Sequence, residues 1–224
     1  MAKLFVVRHG QASFGAEDYD ALSDLGRQQA RWLGDYFAER GIRFQRAMSG
    51  SLKRQRDTAR EILYRTELGE PELQTEAGLN EYDGHALYRG FTGNSDIAAH
   101  QKRDAVDYWR TFRAAYQGWV TDELRGEHES WGEFGERIEQ AVARLCEGAT
   151  REDNLLLVTS GGVIGTAISG ILRTDPLSAI ELNFQFRNTA FCEIVIAGER
   201  RRLITFNALP HLDRPDRRQA ITSV

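Results

Sequence analysis

Apolar residues follow two rhythms along the chain. Residues 4–7 (LFVV) and 154–159 (NLLLVT) are short continuous apolar runs, the pattern of strands buried on both faces. Elsewhere the spacing is helical. Ser23 precedes a stripe of Ala30, Leu33 and Phe37 that stops near Gly41, and Ser51 is positioned to cap a second helix reaching about Leu63. Residues 44–48 read as a short strand between the two. Ser130 and Glu133 form the S-x-x-E pattern of a capping box, which opens a helix to about Glu147. After Ser160, Gly161 and Gly162 an apolar helix runs to Leu172, and Asp175-Pro176 stops it. Residues 190–196 and 203–206, joined by Gly198-Glu199-Arg200-Arg201, predict a hairpin.

The stretch from Tyr82 to about Gly126 differs in character. It is polar, it has few strand signals, and it carries Trp109, Phe112, Tyr116 and Trp119 at roughly helical spacing. Helices inserted over the end of the sheet account for it. Strands alternating with helices, closed by a hairpin, predict a single α/β domain over 1–224. Its expected form is a three-layer α/β/α sandwich with a mixed, mostly parallel sheet and a helical cap insertion at about 82–126.

Composition narrows the function. A chain of 224 residues with 41% hydrophobic residues can bury a full core. The net charge of −4 argues against nucleic acid or an anionic membrane as partner. No apolar run reaches spanning length, and residues 3–7 are too short for the apolar core of a signal peptide. Cys146 and Cys192, in a predicted helix and strand, read as buried thiols suited to a reducing compartment, so a cytoplasmic location is expected. They give no metal-ligand spacing, and no metal or cofactor is expected. A homodimer is compatible with the composition, which selects no oligomeric state.

Chemistry gathers at two strand ends, where open α/β sheets bind ligands. One carries Arg8-His9-Gly10; the other carries Thr159-Ser160-Gly161-Gly162 and leads into a helix whose free N–H groups suit an anion. A third signal is Lys53, Arg54 and Arg56 in the first turns of a helix, where the macrodipole disfavours cations by about 0.3–1 kcal/mol each. Taken singly, each has an ordinary explanation. A histidine after a strand is commonly structural, basic residues such as Arg56 and Arg60 commonly form a solvated face, and a serine before glycines is commonly an N-cap. Together they describe a site for an anion.

The blocks RHG (8–10), LSDLGRQQA (22–30), SGSLKRQRDTA (49–59), LNE (79–81) and ESWGEFGER (129–137) occur in the order found in one family. In register they resemble the histidine phosphatase, or phosphoglycerate mutase-like, superfamily over residue 3 to about 212, where NALPHL (207–212) fits a frequent C-terminal feature. The resemblance implies that His9 attacks phosphorus and becomes a phosphohistidine. Arg8 and Arg54 would clamp the phosphoryl oxygens, and Glu81 would be the general acid, with Asp83 as second choice. A neutral imidazole is a competent nucleophile near neutral pH, and the arginine fork matches phosphate bidentately without a metal. Glu81 must hold a proton beside two arginines, which calls for a raised pKa. Gln11 replaces a frequent glutamate, and Gly15 stands where many members have an asparagine that touches phosphate.

One departure matters more. The strand at 154–159 ends, in most of the family, in a second histidine; here Ser160 stands there, followed by Gly161. Serine keeps one donor and loses the positive charge, and losing such a donor costs about 10²–10³ in rate. The leading expectation is a metal-independent phosphomonoesterase acting on a small phosphorylated substrate, with Ser160 and the Gly161 amide helping to bind phosphate. A weak or inactive relative that binds a phosphorylated ligand or protein is the alternative, and a phosphoglycerate mutase ranks below both. A serine hydrolase built on Ser160, His211 and Asp213 ranks last, because VTSGG lacks the G-x-S-x-G elbow. His211 reads as structural, and His85, His100 and His128 are given no role.

Overall fold

The computed structural model describes residues 1–13, 20–66, 72–93, 104–198 and 200–223. Gly15, His100, Lys102, Arg103 and Glu199 lie outside them. Six strands form one sheet: β1 (Ala2–Arg8), β2 (Arg46–Ser49), β3 (Leu73–Thr75), β4 (Asn154–Thr159), β5 (Phe191–Ala197) and β6 (Arg200–Ala208). Their order is β3-β2-β4-β1-β5-β6. The pairs β2–β3, β2–β4 and β1–β4 are parallel, whereas β5 and β6 run antiparallel. Seven helices are described: α1 (Asp24–Glu39), α2 (Lys53–Arg65), α3 (Gly84–Thr92), α4 (Ala105–Val120), α5 (Trp131–Cys146), α6 (Gly161–Leu172) and α7 (Ser178–Gln185).

Both sheet faces are covered, so the inner strands are apolar throughout. Leu4, Val6, Leu155 and Leu157 face a core shared with α3 to α7, while Phe5, Val7, Leu156 and Val158 face α1 and α2. This is the mixed α/β sandwich expected. The aromatic residues of α4 divide: Phe112, Tyr116 and Trp119 are buried in the larger core, and Trp109 is 39% exposed.

Helix termini follow the sequence in most places. Ser23 caps α1 by accepting the Gly26 N–H, and Ser130 and Glu133 make a reciprocal capping box on α5. The expected Ser51 cap is not formed. The N-cap of α2 is Leu52, which offers no side-chain bond, and the Ser51 hydroxyl instead accepts from Asn80 Nδ2 at 2.7 Å. The cap comes from elsewhere: the Asp20 carboxylate accepts the Lys53 N–H at 2.7 Å. Strand β3, helix α7 and the short 3-10 turn at Ala77–Leu79 add to the elements expected. The hairpin turns at Gly198, where φ is +61°, and β6 already begins at Arg200. No helix among the described residues is long and apolar enough to cross a membrane.

Candidate active site

Strands β1 and β4 run side by side with Arg8 opposite Thr159, and the His9 N–H donates to the Thr159 carbonyl at 2.8 Å. Their carboxyl ends therefore bring His9 and Ser160 together. The loop beyond His9 packs on the first turn of α1 with no side chain between: a Cβ on Gly10 would lie 2.4 Å from the Gly26 carbonyl oxygen. Gly10 donates its N–H to Thr58 Oγ1 at 3.0 Å, which ties the loop to α2 as well. Behind it, Asn188 Nδ2 donates to the His9 carbonyl at 3.2 Å, and Thr222 Oγ1 donates to Asn188 Oδ1. Buried Gln29 accepts the Gln11 N–H at 2.9 Å and donates to the Ala220 carbonyl at 2.6 Å.

The hydrogen bonds assign the His9 tautomer. Arg54 Nε lies 3.2 Å from His9 Nε2, and a guanidinium can only donate, so Nε2 carries a lone pair. The proton sits on Nδ1, which donates to the Gly10 carbonyl at 2.7 Å. Burial, then Arg54, then Arg8 lower the pKa of His9 well below its ordinary 6.5, against the opposing bond to Gly10. The ring is neutral at physiological pH, with its free nitrogen facing a guanidinium.

Arg54 also pairs with Asp20 through Nη1 at 2.7 Å. Asp20 thus ties Arg54 to the first N–H of α2, a role that local sequence patterns do not reveal because the cap comes from a distant loop. Arg8 donates to the Phe186 carbonyl. Glu81 is half-buried against the start of α6, where its carboxylate accepts the Gly162 N–H at 3.0 Å and the Tyr82 N–H at 3.3 Å. A Cβ at position 162 would come within 2.3 Å of the Glu81 carboxylate, so glycine is what lets the acid approach. Burial raises the Glu81 pKa above its ordinary 4.5, and the Gly162 N–H, Arg54, the Tyr82 N–H and Arg8 pull the other way. Asp83 is exposed and caps α3 by accepting the Ala86 N–H at 2.9 Å, so of these two carboxyl groups it is Glu81 that feels Arg54 and Arg8.

Ser160 is the N-cap residue of α6 but makes no cap with its side chain. Its hydroxyl accepts a 2.8 Å hydrogen bond from Nε2 of Gln55, a fully buried residue on α2. Gly161 opens α6 against Asn183, whose side-chain oxygen would be 2.4 Å from a Cβ at that position. His211 bonds Thr189 at 2.9 Å, and burial, then Arg217, push its pKa down to about 3. It is a neutral structural residue, and the serine hydrolase arrangement is not formed.

Sequence reasoning missed Gln55, because a glutamine within KRQRD looks like part of a charged, solvated face. It fills the buried space next to Ser160. Ser160→His should lower stability by about 1–3 kcal/mol through overpacking, since Gln55 occupies the space the ring needs. Adding Gln55→Ala should recover most of the loss. Urea midpoints of wild type and both variants would show it, and a single variant as stable as wild type would mean that the ring finds room.

A family model described as the histidine phosphatase superfamily (branch 1) matches residues 4–209. The chain belongs to that superfamily. A broad-specificity phosphatase of Saccharomyces cerevisiae is 28% identical over 178 residues, covering 72% of this chain and 66% of that protein. A 2,3-bisphosphoglycerate-dependent phosphoglycerate mutase of Rhizobium etli is 37% identical over 120 residues, 49% of this chain and 54% of the mutase. The matches thus span less than two thirds of the length of these curated relatives. Among solved structures, a phosphoserine phosphatase of Entamoeba histolytica in complex with 3-phosphoglyceric acid aligns with a TM-score of 0.67 at 22% identity. That alignment covers 95% of this chain and all of the other, and it establishes the shared fold.

Proposed function

We propose that the protein is a phosphomonoesterase that transfers the phosphoryl group of a small phosphate ester to His9 and then to water. The observation that carries this reading is the buried neutral His9, whose Nε2 lone pair faces Arg54 at 3.2 Å. A phosphoryl oxygen would take over the Arg54 bond, leaving Nε2 free to form the N–P bond as the P–O ester bond breaks. The electron pair goes to the leaving oxygen, and Glu81 supplies its proton. Gly10 accepts from Nδ1 throughout and steadies the cationic phosphohistidine. Water then attacks phosphorus, Glu81 takes its proton, the N–P bond breaks and neutral His9 returns. Arg8, Arg54, Ser160 and the amide of Gly161 serve as the phosphate-binding groups.

The reading includes a single domain with a cap at about 82–126, which would select the substrate, and a cytoplasmic site of action. Helices α3 and α4 lie within that stretch, but their Phe112 and Tyr116 pack into the same core as the sheet, which makes these aromatics core residues and not pocket wall. The likeness to phosphatases favours transfer to water over transfer to phosphoglycerate.

The test is a rapid quench of the wild-type protein with p-nitrophenyl phosphate in EDTA. An acid-labile, alkali-stable phosphoryl adduct on the peptide containing His9 is expected, together with continuous release of inorganic phosphate. Turnover without any adduct would point to direct attack by water. An adduct that persists until phosphoglycerate is added would point to a mutase.

A further inference from the structure

Gln55 is fully buried and makes two bonds with one nitrogen: Nε2 donates to Ser160 Oγ at 2.8 Å and to the Leu79 carbonyl at 3.3 Å. The Leu79 bond fixes which way the amide faces. A carbonyl only accepts, so the NH₂ end must point to Leu79 and therefore to Ser160. Reversing the amide would set oxygen against oxygen. The Gln55 oxygen lies over Gly50, with its would-be Cβ only 1.9 Å away, and has no hydrogen-bond partner among the described residues. The buried amide is thus committed to donation at the cost of an unsatisfied acceptor, which the structure retains.

The consequence falls on Ser160. With Oγ accepting from Gln55, its hydroxyl hydrogen is turned away from Gln55 and has no acceptor among the described residues. Ser160 follows Thr159, whose carbonyl binds the His9 N–H, and Gln55 follows Arg54, whose Nε lies 3.2 Å from His9 Nε2, so both residues of the pair sit next in sequence to groups that bond His9. Among the described residues no base is hydrogen-bonded to that hydroxyl, so the geometry does not equip Ser160 as a nucleophile. We infer that Gln55 is a positioning residue that locks the Ser160 hydroxyl as a hydrogen-bond donor to the phosphoryl group. Together the two residues form a neutral, non-titrating donor where an imidazole would titrate. This rests on the phosphohistidine reading and deepens it.

A double-mutant cycle tests the inference with Gln55→Leu, Ser160→Ala and the double variant, read by single-turnover release of p-nitrophenolate and by orthovanadate affinity. Each single change is expected to lower the phosphorylation rate and the vanadate affinity, the rate by about 10²-fold. The double variant should fall no further, because both changes remove one donor. Multiplying effects would overturn the inference, since Gln55 would then act on its own as packing. Gln55→Glu keeps the volume but replaces the donor by an acceptor that draws the Ser160 hydrogen back. It should lose rate like Ser160→Ala, and a wild-type rate in this variant would also overturn the inference. If His9→Ala retains activity, the underlying phosphohistidine reading fails; a His9-dependent rate with multiplying effects removes only the role of Gln55.

Discussion

Replacing His9 by alanine lowers phosphate release from p-nitrophenyl phosphate by roughly 10⁴-fold or more, with KM changed far less. The expectation follows from the absence of a substitute nucleophile in the described site. The Ser160 hydroxyl accepts from Gln55 and is bonded to no base among the described residues, and His211 is bonded to Thr189. Activity equal in the two proteins would end the catalytic reading. The variant carries a second signature. His9 has a depressed pKa in the folded state and takes up a proton near 6.5 once unfolded. Its contribution to stability is therefore fully present above 6.5 and is lost as pH falls below it. Acid should destabilise the wild type more steeply than His9→Ala in this window, while His211, with a pKa of about 3, contributes equally to both. Urea titrations at several pH values would show the difference in slope.

Glu81→Gln separates substrates by leaving group. General acid catalysis is worth about 10²–10⁴-fold, and its value depends on how badly the departing oxygen needs a proton. An alkyl phosphate such as glycerol phosphate should lose that much, whereas p-nitrophenyl phosphate, with its stable phenolate, should lose far less in the phosphorylation step. The pH profile should change too. With a lowered His9 pKa and a raised Glu81 pKa, the wild type should show an acid limb from His9 and an alkaline limb from Glu81. Glutamine cannot titrate, so the alkaline limb should disappear while the acid limb remains. Equal losses for both esters would assign the proton to another donor, and Asp83→Asn, altering an exposed cap on α3, would serve as the control.

What the sequence made legible and what it hid divide along physical lines. Local patterns located β1, β4, the capping box at Ser130 and the charged strand ends, because each depends on residues a few positions apart. The same holds for Arg8 and His9, whose departure from an apolar strand is visible in the sequence itself. Strand β3 was invisible, since Leu73–Thr75 supplies too few residues for a rhythm and is mostly solvent-facing. Asp20 and Gln55 were hidden for another reason: their roles are set by partners 33 and 105 residues away, at Lys53 and Ser160. Glu81 lies between these cases. Its motif marked it as an acid, but the raised pKa that role demands comes from burial against α6, which only the fold supplies.

The struts behind His9 bear on how the site comes into being. Gln29 reaches Ala220 across 191 positions and Asn188 reaches the His9 carbonyl across 179, so both join nearly opposite ends of the sequence. Contacts that close such long stretches of chain are entropically expensive until the intervening structure has formed, and they arise late in folding. The proposed nucleophile thus directly follows the first strand yet receives its backing among the last events, so a partly folded chain would hold the histidine without the geometry to use it. Catalytic competence then reports completion of the entire fold, not of the strand that carries the reactive group.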